Sequence, residues 1–223
     1  MNRVGIWAAA LSIACSTASA QEPVSFQGKQ VLMVIGYAAG GGTDAAGRLI
    51  AGHLGKYLPG QPTIVVQNVP GADGMVALNY IVQQTKPDGL TITMGSGTQI
   101  DPLHSRKPQV KYNPADFKFI GGAGKGGTAL IINKDVEKRV FDKKAEPVIM
   151  GALSGMPRSG MQMTAWGKEF LDWNVRWVVG YPGTNDLTVA LERGEIDLTA
   201  TGNIPLIQKL LNTGKFKISR NPA

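Results

Sequence analysis

The sequence predicts an α/β chain of two lobes, and three observations carry that reading. Strand-like and helix-like segments alternate along most of the chain. Glycine-rich turns stand between several strands and the helices that follow them. A polar, proline-punctuated stretch, Ser96–Pro114, divides the alternation into two blocks. Strand and helix in strict alternation argue for largely parallel sheets covered by helices.

The first twenty of the 223 residues stand apart. Arg3, an apolar stretch from Val4 to Ala14, and small residues at Ala18 and Ala20 form the three-part pattern of a secretory leader cleaved after Ala20. The apolar stretch is short for a membrane span. Cys15 is the single cysteine, and Ser12, three positions earlier, fits a lipid-attachment site poorly. Without the leader the chain has no cysteine, so its core must hold without disulfides. Net charge is +7, and losing Arg3 leaves 22 basic against 16 acidic residues, or +6. A modest positive field favours anionic ligands at encounter. The cations are scattered, which disfavours nucleic acid as a partner.

The first block opens with KQVLMVIGY (Lys29–Tyr37), a continuous apolar run expected of a strand buried on both faces. Three glycines follow, and Thr43 is the expected N-cap of a helix with Asp44 in its first turn. Ala46, Leu49, Ile50, His53, Leu54 and Tyr57 recur at helical spacing as its apolar face, and Pro59–Gly60 end it. PTIVVQNV (Pro62–Val69) is a second strand, PGADG (Pro70–Gly74) a turn, MVALNYIVQQ (Met75–Gln84) a second helix, and LTITMG (Leu90–Gly95) a third strand.

After the connection come FKFIGGAG (Phe117–Gly124) and TALIINK (Thr128–Lys134), then a charged patch. PVIMGAL (Pro147–Leu153) is strand-like, Arg158–Leu171 helical, NVRWVVGY (Asn174–Tyr181) a strand, Thr184–Gly194 a helix, EIDLTAT a short strand and Ile204–Gly214 a last helix. The expected division is a leader at 1–20, lobe 1 at 21–104, a connection at 105–114, lobe 2 at 115–214, and the start of a return segment at 215–223.

Several chemistries fail on residues. Gly40, Gly42 and Ala45 fit G-x-G-x-x-A between strand and helix, but the second strand ends with Gln67 and Asn68 where a ribose-binding carboxylate should stand. In GGAGKGGT, Gly126 follows Lys125 where a phosphate loop needs Ser or Thr. The two histidines, His53 and His104, mark no nucleophile–base pair, and no G-x-S-x-G elbow occurs. No metal-ligand spacing and no cofactor motif is present. Binding survives: helix starts present unpaired N–H groups to anions, and glycines admit them closely. Ser154–Ser159, with Arg158 able to reach a carboxylate, and Gly183–Asn185 are similar loops in the second block.

AAGGGTDAAGRLIAGHLGKYLPGQPTIVVQNVPGADG, followed by KPDGLTI, resembles the Bug-type periplasmic substrate-binding proteins of tripartite tricarboxylate transporters. VVGYPGTNDLTVALERGEID resembles a second stretch of that family, and the likeness runs from about Lys29 to Ile218. It implies a two-lobed, Venus-flytrap periplasmic binding protein, without enzymatic activity or cofactor. Such a receptor is a periplasmic monomer that delivers a small organic carboxylate to membrane permease subunits. Carried over by position, the ligand site comprises Tyr37, Ala39, Gly40, Gly41, Gly42, Thr43 and Asp44, with Asp44 ordering its loop or capping the helix. Ser96, Gly97, Thr98 and Gln99 join it from lobe 1, and Ser154, Gly155, Arg158, Ser159, Thr184, Asn185 and Asp186 from lobe 2. The sequence departs from the family at Ala38–Ala39, where proline is frequent. Family members also continue further and return to lobe 1, so Lys215–Ile218 is expected to begin a returning strand in a chain cut short. The competing readings are an exported hydrolase-like enzyme and a non-functional remnant of a receptor.

Overall fold

A computed structural model describes residues 24–124, 126–153, 155 and 159–219. The leader at 1–20, Cys15, Ser154 and Arg158 lie outside the described residues.

The first sheet has three parallel strands in the order β2-β1-β3: β1 (Gln30–Ile35), β2 (Thr63–Asn68) and β3 (Thr91–Met94). The apolar run of β1 makes it central, with Val31, Met33, Val34 and Ile35 all buried. Register aligns Ile35 with Asn68 on one side and Met94 on the other, so all three carboxyl ends open onto one edge. Helices α1 (Gly42–Leu54) and α2 (Met75–Gln84) connect the strands.

Two expectations about α1 are corrected. The N-cap is Gly41, in extended conformation, and Thr43 lies inside the helix. The face that the helix turns to the sheet overlaps the expected one only in part. Leu49, His53 and Tyr57 are exposed, while Asp44 and Gly47 are buried and Ile50 and Ala51 pack partly buried against β1. The cause is Gly47. A Cβ there would lie 2.5 Å from Ile35 Cδ1, so the absence of a side chain lets the helix backbone approach the strand.

The connection does not stand free of the first lobe. A 3₁₀ turn at Gly97–Ile100 leads to a one-turn helix, α3 (Pro102–Ser105). Tyr112 then packs against Met75 and Leu78 and edge-on to Phe117. Its hydroxyl donates to the Gln99 carbonyl at 2.8 Å.

The second sheet has five strands in the order β6-β5-β7-β4-β8: β4 (Ala129–Asn133), β5 (Val148–Ala152), β6 (Val175–Val179), β7 (Leu198–Thr201) and β8 (Phe216–Ile218). β5 runs parallel to β6 and β7, whereas β4 is antiparallel to β7 and β8. Lys215–Ile218 thus supplies β8, which pairs with β4 inside this sheet. Alternation along β4 builds two cores. Leu130 and Ile132 join Val148, Met150 and Leu198 on one face, and Ile131 joins Leu187, Leu191, Ile196 and Leu210 on the other. Each such side chain contributes about 1.5–3 kcal/mol on leaving water. Helices α4 (Ser159–Phe170), α5 (Thr184–Arg193) and α6 (Ile204–Asn212) complete the block. Among the described residues no helix is long and apolar enough to cross a membrane.

Candidate functional site

The carboxyl edge of the first sheet carries three loops. β1 runs into Gly36–Gly41, β2 into Val69–Gly74 and β3 into Gly95–Ser96. The first two touch, since a Cβ on Gly36 would lie 2.6 Å from the Gly74 Cα.

Asp44 organises the first loop from below. Its carboxylate is buried and accepts from the Gly40 N–H at 2.8 Å, Arg48 Nε at 2.9 Å and Asn68 Nδ2 at 2.7 Å. Asn68 Nδ2 also donates to the Tyr37 carbonyl at 2.9 Å, and Arg48 donates to Asn68 Oδ1 at 2.8 Å. Burial by itself would raise the Asp44 pKa. The hydrogen bonds from Arg48, Asn68 and Gly40, with the Arg48 charge, outweigh it and hold the pKa below its ordinary 3.8. Asp44 is therefore an ionised tie beneath the loop, and Asn68 occupies the place of the missing ribose-binding carboxylate as a second tie.

Tyr37, at the end of β1, donates its hydroxyl to Asp73 Oδ1 at 2.9 Å and lies 2.8 Å from Ser96 Oγ. One phenol thereby joins all three loops. The second loop is strained: Gly71, Ala72, Asp73 and Gly74 have φ of 135°, 45°, 56° and 88° in succession. Two non-glycine residues in the left-handed region cost on the order of 1–3 kcal/mol each, and such strain clusters at ligand sites.

A cavity of about 260 Å³ opens here between the two sheets. The first lobe lines it with Tyr37, Pro70, Gly71, Ala72 and Asp73, and the second with Leu153, Gly180, Tyr181 and Pro182. Beside it the starts of α1 and α5 meet. The Ala38 N–H donates to the Pro182 carbonyl at 3.4 Å. A Cβ on Gly40 would lie 2.7 Å from Asn185 Nδ2, and one on Gly41 3.8 Å from the Thr184 nitrogen.

The helix caps differ in a patterned way. α6 is capped by Asn203, whose side chain accepts from the Leu206 N–H. Asn113 and Asn133 cap two 3₁₀ turns in the same manner. α1 begins at Gly41, α5 at Gly183 and α2 at Gly74, and none of the three has a side-chain cap. The first-turn N–H groups of α1 and α5 thus have no side-chain cap.

The sites expected from the sequence divide accordingly. Tyr37 lines the cavity; Ala39–Thr43, Thr184 and Asn185 belong to the paired helix starts. Asp186 lies in the first turn of α5, with Oδ2 3.3 Å from where a Gly183 Cβ would be. Ser96 reaches Tyr37, Gly97 opens the 3₁₀ turn, and Thr98 and Gln99 are buried away from the cavity wall. The Gln99 side chain wedges between Gly36, Gly74 and Gly95. Gly155 and Ser159 flank the β5–α4 loop, and Ser154 and Arg158 lie outside the described residues. Sequence reasoning missed Asp73, Pro70–Ala72, Leu153 and Gly180–Pro182. The signal was present in PGADG, a second glycine turn between a strand and a helix in the same block. Among the described residues no group of three or more His, Cys, Asp or Glu could hold a metal ion.

No family model matches the chain. A protein described as UPF0065 in the gbd 5′ region of Cupriavidus necator is 44% identical over 92 residues, covering 40% of this chain and 27% of that protein. A UPF0065 protein of Bordetella pertussis is 36% identical over 89 residues, covering 40% and 26%. The periplasmic binding protein BugD superposes with a TM-score of 0.66 at 26% identity, over 85% of this chain and 64% of BugD. The resemblance to Bug-type periplasmic binding proteins holds. Rpa4515 of R. palustris, solved with adipate, superposes at a TM-score of 0.70 and 24% identity with the same coverage. MatC of Rhodopseudomonas palustris, solved with malate, gives 0.63 at 22% identity over 85% and 65%. The chain thus spans just under two thirds of these binding proteins and about a quarter of the two curated relatives.

Proposed function

We propose that the chain is the ligand-capturing part of an exported solute receptor that holds a small organic carboxylate between its lobes and delivers it to permease subunits in the membrane. The capping pattern carries this reading. Asparagine caps α6, while glycine stands at the starts of α1 and α5 beside the cavity, leaving N–H groups and two helix dipoles for an anion. Proteins of the same fold hold adipate and malate, which is the ligand class such a site suits. Tyr37 and the Asp44–Arg48–Asn68 ties keep the loop geometry fixed before the ligand arrives, which limits the ordering cost of binding. The N-terminal segment directs the chain to the periplasm and is removed, so the mature protein is expected to begin at Gln21 by mass spectrometry.

Calorimetric titration of the purified mature chain against a panel of mono-, di- and tricarboxylates tests the proposal. At least one acid should bind at about micromolar Kd, near −8 kcal/mol. Absence of binding across the panel, in a sample that unfolds cooperatively in urea, would overturn it.

A further inference from the structure

We infer that Gln99 is a positioning residue for the cavity: its buried side chain sets the spacing of the three loops that carry Tyr37, Asp73 and Ser96, without itself touching the ligand. This rests on the carboxylate reading above and adds the residue that fixes the geometry of that site.

Gln99 stands in the 3₁₀ turn after β3, is 3% exposed and does not line the cavity. Its backbone is held on both sides. The Gln99 N–H donates to the Ser96 carbonyl at 3.1 Å, and the Gln99 carbonyl accepts from the Tyr112 hydroxyl at 2.8 Å. The side chain therefore extends from a fixed base.

Three glycines make the slot that receives it. A Cβ on Gly36 would lie 3.1 Å from Gln99 Nε2, and a Cβ on Gly74 or Gly95 would overlap the amide outright. Each glycine is the chain neighbour of one member of the phenol junction. Gly36 precedes Tyr37, Gly74 follows Asp73 and Gly95 precedes Ser96. The Tyr37 hydroxyl lies 2.9 Å from Asp73 Oδ1 and 2.8 Å from Ser96 Oγ. A shift of about half an ångström in any of the three backbones would carry these contacts past the ordinary O–H···O range. Nε2 has no hydrogen-bond partner among the described residues. That end of the amide thus supplies contact and shape rather than a bond, and a buried donor without a partner costs stability. What the group offers in return is a flat, unbranched filling for a slot walled by backbone on three sides, and so a fixed spacing between loops.

Calorimetry with acetate, hexanoate, malate, adipate and citrate selects the acid that the wild-type chain holds most tightly, and variants are compared on that acid at pH 7. Gln99→Ala empties the slot and should weaken binding at least about tenfold. Gln99→Met, unbranched and adaptable, should stay within about threefold of the wild type. Tyr37→Phe should weaken binding about fivefold. Because Gln99 acts through that phenol, the double variant should fall no more than about threefold below the weaker single one, where independent effects would multiply to about fiftyfold. Urea unfolding repeats the cycle without ligand: Tyr37→Phe should lower the midpoint less than about half as far in Gln99→Ala as in the wild type. Lost stability with unchanged affinity in Gln99→Ala would mark core packing alone and overturns the inference, as do effects that multiply in binding and add in urea. Gly95→Ala presses on the same amide from the strand side and should weaken the acid about fivefold or more. Should Gln99→Ala fail to fold, wild-type affinity in Gly95→Ala overturns the inference instead. If no acid binds the wild type, the receptor reading falls, and the urea cycle still decides whether Gln99 holds the Tyr37 junction.

Discussion

Asp44→Asn isolates the tie beneath the first cleft loop. The carboxylate accepts three hydrogen bonds, from the Gly40 N–H, Arg48 and Asn68, and its side chain is 3% exposed. An asparagine keeps one acceptor oxygen, but its amide NH₂ then faces another donor, either Arg48 or Asn68. At least one hydrogen bond to a charged group is lost, worth about 1.5–3 kcal/mol. Breaking a fully buried ion pair can cost about 5 kcal/mol, but the Arg48 side chain is 50% exposed and regains water. The expected destabilisation is therefore about 2–3 kcal/mol, which moves the urea midpoint down by about 1 M for a domain of this size.

The same substitution changes the pH dependence. The folded-state pKa of Asp44 lies below its ordinary 3.8. Its contribution is thus fully present above the unfolded-state pKa, and is lost as the pH falls through the lower folded-state value. Urea midpoints of the wild type should drop between about pH 5 and pH 3, and the drop should be shallower in Asp44→Asn. Equal midpoints at pH 7, or an unchanged acid slope in the variant, would refute the assignment of Asp44 as an ionised tie. Since Gly40 is held by this carboxylate, the variant should also weaken carboxylate binding.

Gly47→Val places a Cβ 2.5 Å from Ile35 Cδ1 and should cost about 1–3 kcal/mol in urea unfolding by forcing α1 away from β1. Asn203→Ala removes the α6 cap and should cost about 1 kcal/mol without altering carboxylate affinity in calorimetry. Tyr37→Phe unlinks Asp73 from Ser96, leaves a buried acceptor short of a donor, and should cost about 1–3 kcal/mol in urea while weakening carboxylate binding.

The architecture was legible because strand burial and glycine punctuation are local signals. The β1 run and the bounds of α2 agree with the structure within two residues at each end. The face of α1 was only partly legible. Its orientation depends on Gly47, a residue that hydropathy counts as nothing and that packing treats as the point of closest approach. Cap assignment failed for a related reason. Thr43 has the better capping side chain, yet Asp44 reaches back to Gly40 and draws the helix start forward to Gly41. The cavity wall was only half legible. Tyr37 and the paired helix starts were visible as strand–glycine–helix patterns. Asp73 gains meaning from a phenol 36 residues away, and such a pairing follows from the parallel register of β1 and β2 rather than from spacing along the chain.

The bare caps also explain why a ligand should couple the two lobes. A side-chain cap at Gly41 or Gly183 would satisfy first-turn N–H groups locally, as Asn203 does at α6, and glycine at such a position gives up only a few tenths of a kcal/mol relative to a good cap. On the proposed reading, that small local loss would leave both helix starts open to the same anion. A carboxylate bridging them would draw hydrogen bonds from α1 and α5 at once, and neither lobe alone could offer both. Its binding energy would then depend on the loops being together, the arrangement that the Ala38–Pro182 contact already shows. Ligand binding should for that reason raise the stability of both lobes jointly, by RT ln(1 + [L]/Kd), or about 2.7 kcal/mol at a hundredfold excess over Kd. Hydrogen exchange at α1 and α5 should slow together when an acid binds. Protection confined to one of them would mean that the anion rests on a single helix start, and the two-lobed clamp would have to be abandoned.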